Sequence, residues 1–169
     1  MTDKSLNFLK EQTLIDKSSW DRGEWDNEPD RIYWIDSKTG YHCIIRRIKF
    51  GFLCGYVAIK KNHPFYGKSY NDIDSILKVH GGVTYSEFCN HDHEMGIRLL
   101  TEEKDKSWWF GFDCGHFLDY QPAFSDTRLK ELLPKKSVSL FGQEIYRNIS
   151  YVISETESLA QQLKDLEND

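Results

Sequence analysis

"RIYWIDSKTGYHCIIRRIKFGFLCGYVAIK", residues 31–60, is the stretch that decides the fold. Three runs rich in β-branched and aromatic residues, "RIYWID", "YHCIIRRI" and "FLCGYVAIK", are separated by the glycine-containing breaks "SKTG" and "KFG". Such runs joined by tight turns read as consecutive antiparallel strands. Gly55, inside the third run, predicts a bulge or a close backbone approach.

Working toward the C-terminus, "KNHPFYGKSYNDID" (61–74) is a loop. "LKVHGGVTYSEF" (77–88) reads as a short strand or turn, and "GIRLL" (96–100) as a further strand. "SWWFGFDCGHF" (107–117) is the last central strand. "SDTRLKELLP", residues 125–134, carries an N-cap in Ser125 or Asp126 and a stop in Pro134, which predicts a short helix. The final segment places Ile145, Ile149, Val152, Thr156, Leu159, Leu163 and Leu166 at three- and four-residue steps. That periodicity predicts an amphipathic helix of about six turns over 143–167, made to cover one face of the sheet. A homo-oligomer joined through this helix is the alternative. Toward the N-terminus, "WDRGEWDNEPDR" (20–31) is an acidic loop, and residues 1–19 read as a short helix or arm.

The expected architecture is therefore α+β, with one domain over residues 1–169. An antiparallel sheet of about four to six strands, in residues 31–120, packs against the long C-terminal helix. A chain of this length buries roughly 70% of its unfolded surface, enough for a real core. Aromatic residues make up 14% of the sequence, which argues against long disorder. The formal net charge of −5 argues against non-specific nucleic-acid binding, which needs a basic footprint. No apolar run approaches the ~18 residues of a membrane span, and no signal peptide is evident. The expectation is no membrane partner and a cytoplasmic location, where the four cysteines stay reduced.

Chemistry concentrates in two places. In "SWWFGFDCGHFLD" (107–119), strand alternation sends Trp109, Gly111 and Asp113 to one face, and Trp108, Phe110, Phe112, Cys114 and His116 to the other. In "HGG" (80–82), Gly81 and Gly82 permit positive φ and leave amides that can bind an anion, with Thr84 and Tyr85 close by. The two segments are expected to meet at a pocket, with the Trp25–Asp30 loop closing over it.

Three chemistries suit these residues. The favoured one is capture of a small, nucleotide-like ligand. An aromatic face from Trp25, Tyr85, Trp108, Trp109, Phe110 or Tyr120 would stack on a base, Asp30, Asp113 or Asp119 would accept from its polar groups, and His80 with Gly81 and Gly82 would meet a phosphate. The second is hydrolysis by a Cys114 thiolate with His80 or His116 as base and Asp113 or Asp119 as orienting carboxylate, or by a metal ion held by the same residues. The third places zinc on Cys89, His91 and His93, whose i, i+2, i+4 spacing aims all three one way in an extended segment. A module that docks on another protein, with these residues structural, is a further class.

"GEWDNEPDRIYW", "CGYVAI", "HPFYGK", "VHGGVTYS", "WWFGFDCGH" followed by Asp119, and "YRNISYV" together resemble a family of uncharacterised proteins encoded mainly by bacteriophages and some bacteria. The match runs over most of the chain from Trp25 onward; "CNHDH" (89–93) is not part of the pattern. The resemblance implies a phage or phage-like origin, a host-cytoplasm setting and a shared single domain, and it implies no activity. An accessory role, such as sequestering a host defence signal, is the expectation it motivates.

Overall fold

A computed structural model describes residues 8–88, 107–125 and 144–167. Its strands are β1 (Phe8–Gln12), β2 (Arg31–Ile35), β3 (His42–Arg47), β4 (Leu53–Ile59), β5 (Tyr85–Phe88) and β6 (Trp108–Asp113). The helices are the four-residue α1 (Tyr70–Ile73) and the 18-residue α2 (Ile149–Leu166). All six strands form one antiparallel sheet in the order β1-β2-β3-β4-β6-β5.

The three strands of residues 31–60 form as their turn chemistry dictates. Asp36 closes the β2–β3 turn by accepting from the Thr39 amide (2.9 Å) and hydroxyl (2.6 Å). Gly40 supplies the positive φ of 75° that a side chain resists. Every residue of β4 is buried, as befits a strand paired along both edges, with β3 and with β6.

Helix α2 lies on one face of the sheet. Val152, Thr156, Leu159, Ala160 and Leu163 are buried against a layer that includes Cys43, Ile45, Leu53, Val57, Phe110 and Phe112. Each such Leu or Val contributes about 1.5–3 kcal/mol by leaving water. The apolar stripe is thus turned to the sheet. Gly55 is the point of closest approach: a Cβ there would sit 2.6 Å from Phe112 Cε1 and nearer still to Thr156 Oγ1. The other face carries a second cluster of Tyr33, Ile44, Cys54, Tyr56, Ala58 and Trp109. The alternation expected for 108–113 therefore holds.

Several boundaries differ from expectation. Residues 8–12 are an edge strand paired with β2, not a helix. Their weak apolar face is outweighed by the hydrogen bonds that the β2 edge offers. The C-terminal helix starts at Ile149, because the Asn148 carboxamide accepts from Tyr151 N (3.0 Å) and caps it there. Ile145 instead pairs with Asp119 in an isolated parallel bridge. At 122–125 the chain makes a 3₁₀ turn; the rest of the helix expected over 125–134 lies outside the described residues, as does the "GIRLL" strand. No helix among the described residues is long and apolar enough to cross a membrane.

The acidic loop is locked down by a buried ion cluster. Arg47, 2% exposed, donates from Nε to Asp30 (2.8 Å), from one terminal nitrogen to Glu28 (2.9 Å), and from the other to Tyr146 Oη (2.6 Å) and the Gly51 carbonyl (2.9 Å). Asp30, 1% exposed, also accepts from the Leu14 and Ile15 amides and from Lys17. Burial opposes ionisation of Asp30, but the bonds from Lys17, Ile15, Leu14 and Arg47 outweigh it and hold the carboxyl below its ordinary range. Glu28 extends the cluster to α2 by accepting from the Ile149 amide (2.8 Å).

Candidate functional site

The turn at 79–82 and the end of β6 do converge. Gly82 N donates to the Val79 carbonyl (3.0 Å), closing a turn in which Gly81 and Gly82 adopt φ of 67° and 88°. The turn is fastened to α2: Gln162 bridges the backbone of Lys78, and Glu155 accepts from His80 N (2.8 Å). After β6, the chain makes a second tight turn, in which Asp119 N donates to the His116 carbonyl (2.9 Å). The His80 and His116 rings then meet edge to face, with centroids 5.4 Å apart.

Asp119 is the hub. It is 2% exposed, yet both of its oxygens are engaged. Oδ2 accepts from His80 Nε2 (2.7 Å) and from the His116 amide (3.0 Å), and lies 3.5 Å from His116 Nδ1. Oδ1 accepts from Arg147 Nε (3.1 Å). Burial opposes its ionisation, but the bonds from His80, Arg147 and the His116 amide prevail and hold the carboxyl below its usual range. With Nε2 donating to Asp119, His80 Nδ1 accepts from Tyr151 Oη (3.0 Å). His116 Nδ1 is shielded from solvent and makes no hydrogen bond.

One ligand atom each from His80, His116 and Asp119 lies within 4.8 Å of the others. Neighbouring ligands about an ion with bonds of ~2.1 Å stand about 3.0–3.5 Å apart. The separations of 2.7 and 3.5 Å at Asp119 Oδ2 bracket that spacing. An orphaned imidazole nitrogen, a second imidazole and an ionised carboxylate make a donor set that suits a divalent transition ion. Partners for the outer atoms are present as well: Tyr151 on His80 Nδ1 and Arg147 on Asp119 Oδ1. Beside the triad, an open groove of about 580 Å³ runs along Asp74, Lys78, His80, Gly81 and Glu155.

The other expected site residues are placed as follows. Asp113 borders the triad, 3.9 Å from His116 Nδ1, and accepts from Thr84 Oγ1 (2.9 Å) and Gly115 N (3.0 Å). Gly81 packs directly under the His116 ring, and Gly82 lies against Asp74. Gly82 N is used by its own turn, so of the two amides only Gly81 N lacks an acceptor among the described residues.

Cys114 sits behind the triad in the core at 1% exposure. Burial, with the nearby Asp119 charge next, pushes its thiol far up and away from thiolate chemistry. The aromatic residues are also drawn inward. Trp25, 7% exposed, stacks on Tyr120 (5.5 Å) and meets Tyr146 edge-on. Trp109 is 3% exposed in the second cluster. Tyr85 packs on Tyr56, and Trp108 on Phe88 and Tyr66 at the far end of β6. None of these four rings contacts the triad. Asp30 belongs to the Arg47 cluster. Cys89, His91 and His93 lie outside the described residues.

Three partners of the triad, Arg147, Tyr151 and Glu155, were not singled out from the sequence as site residues. The signal was the "YRNISYV" stretch, which marks two of them, while helical periodicity draws attention to the apolar positions only. No protein-family model, curated protein or solved structure matches the chain.

Proposed function

We propose that the protein is a metal-dependent hydrolase whose divalent ion is held by His80, His116 and Asp119. The observation that carries this reading is the meeting of these three side chains, with His116 Nδ1 shielded and unpartnered. To hold an ion through Nε2, His80 would carry its proton on Nδ1 and donate it to Tyr151 Oη. Arg147 keeps Asp119 oriented and ionised. An ion with three protein ligands and open positions polarises bound water and electrophilic oxygens. The groove beside the turn gives a substrate access.

The enclosure of Trp25 and Trp109 weighs against base stacking, and the enclosed Cys114 weighs against a thiol nucleophile, so the metal version of the hydrolase fits these residues better. The motif resemblance suits a small phage-type accessory enzyme working in a host cytoplasm. The test is calorimetric titration of the purified chain with Zn²⁺, Mn²⁺ and Fe²⁺, with elemental analysis of the protein as isolated. One ion per chain is expected, lost in His80→Ala, His116→Ala and Asp119→Asn, and retained in the double variant His91→Ala/His93→Ala. Binding that ignores the first three substitutions, or none at all, refutes the centre.

A further inference from the structure

Arg147 is held in a way that its bond to Asp119 alone does not require. Nε is tied to Asp119 Oδ1, the oxygen other than the one shared by His80 and His116. The guanidinium carbon sits 4.9 Å over the Tyr151 ring. The two terminal nitrogens donate to no acceptor among the described residues, and the side chain is 25% exposed. An arginine anchored at Nε and stacked on a ring presents its remaining N–H groups as a fixed fork, the geometry that grips phosphoryl and carboxylate oxygens.

Charge sets the order of events. Asp119 itself, with Asp113 and Glu155 beside it, has Arg147 as its one guanidinium, a formal −2 before the imidazoles are counted. An anion approaching this surface is repelled. A divalent ion brings the formal sum to zero and leaves the Arg147 fork as a directed donor beside it.

We propose that Arg147 and the bound ion together form an anion subsite: the substrate carries a phosphoryl or carboxylate group that bridges the two, and it binds only after the cation. This rests on the metal centre above. By linkage, the anion tightens cation binding by the same factor that the cation tightens anion binding.

The test titrates Mn²⁺ into the full chain with and without inorganic phosphate, and separately with acetate. Phosphate is expected to tighten Mn²⁺ binding about 5- to 50-fold, in the range of ordinary coupling between sites, with no phosphate binding when Mn²⁺ is withheld. Enhancement by acetate as well assigns the subsite to carboxylates in general; enhancement by phosphate alone assigns it to phosphoryl groups. Arg147→Gln is expected to keep Mn²⁺ binding but lose the enhancement, and Arg147→Lys, which keeps the charge without the fork, to recover only part of it. Equal Mn²⁺ affinity with and without either anion overturns the subsite while leaving the metal centre standing. So does an enhancement that survives in Arg147→Gln, or phosphate binding to the cation-free chain. Failure of the wild type to bind Mn²⁺, Zn²⁺ or Fe²⁺ overturns the centre and the subsite together.

Discussion

Gly81→Ala separates the site from the fold. Gly81 has φ of 67°, and an added Cβ would lie 2.6 Å from His116 Nδ1 and closer to two other ring atoms. Ordinary carbon contacts fall at about 3.5–4.0 Å, and the nearest ring atom sets the requirement, so the imidazole must retreat by about 1.5–2 Å. The ring can do so, because it ends a side chain that is 37% exposed. The stability cost is therefore confined to placing Ala in left-handed backbone, about 1–2 kcal/mol. For a chain of this size that lowers Tm by about 2–8 °C. The effect on ion binding is larger in kind. Metal–ligand distances tolerate about 0.2 Å, so a retreat of that size removes His116 from the set. Loss of supporting contacts alone costs 10–100-fold in affinity, and loss of a ligand is expected to exceed the upper figure.

Gly40→Ala is the control. It has φ of 75° with nothing within 4 Å of its Cβ position, so it carries the same backbone penalty at a distance from the site. Thermal melts and Zn²⁺ titrations of the two variants give the comparison. Similar Tm losses with a more than ~100-fold affinity loss in Gly81→Ala alone are expected. If Gly81→Ala binds the ion as tightly as Gly40→Ala, His116 is not a ligand and the reasoning fails.

Gly55→Ala forces a methyl between β4 and the Thr156 and Phe112 side chains, both buried; it should cost about 3 kcal/mol or more, read as a lowered urea midpoint. Asp30→Asn tests the ion cluster. The Asp30 carboxyl titrates below its unfolded value of about 3.9, so its contribution is complete above that pH and is lost as pH falls through the lower folded value. The stability gap between wild type and variant should be about 3–5 kcal/mol near pH 7 and should narrow steadily below about pH 4 in urea melts; a constant gap contradicts the assignment. Cys114 should resist iodoacetamide in the native chain and react once urea unfolds it, as read by peptide mass mapping; native-state labelling at that residue would reopen the thiol mechanism.

The sheet was readable because its rules are local. β-Branched runs of 31–60 with glycine breaks, and the alternation of Trp108 to Asp113, each dictate a face and a turn within a few residues. β1 was not readable, since its strand character comes from the β2 edge it joins. The meeting of His80 with His116 was anticipated from residue type, but the choice between Asp113 and Asp119 as their carboxylate was left open. Asp119 was expected as a ligand contact or an orienting carboxylate, and the tight turn from His116 is what brings it back to Oδ2···Nδ1 range. Trp25 and Asp30 were misread as lid residues because an acidic, aromatic loop looks solvent-facing until Arg47, buried on β3, supplies the countercharge. No periodicity in sequence announces a buried arginine 17 residues away.

The centre is stitched together by a helix that follows all three of its members in the chain. Tyr151 and Glu155 hold His80 from α2, and Arg147, one residue ahead of its cap, holds Asp119. The groups that orient the two side chains therefore come from the last element of the chain, after every strand of the sheet. If the centre holds an ion as proposed, a chain ending before residue 147 lacks the groups that orient His80 and Asp119 and is expected to bind that ion more weakly.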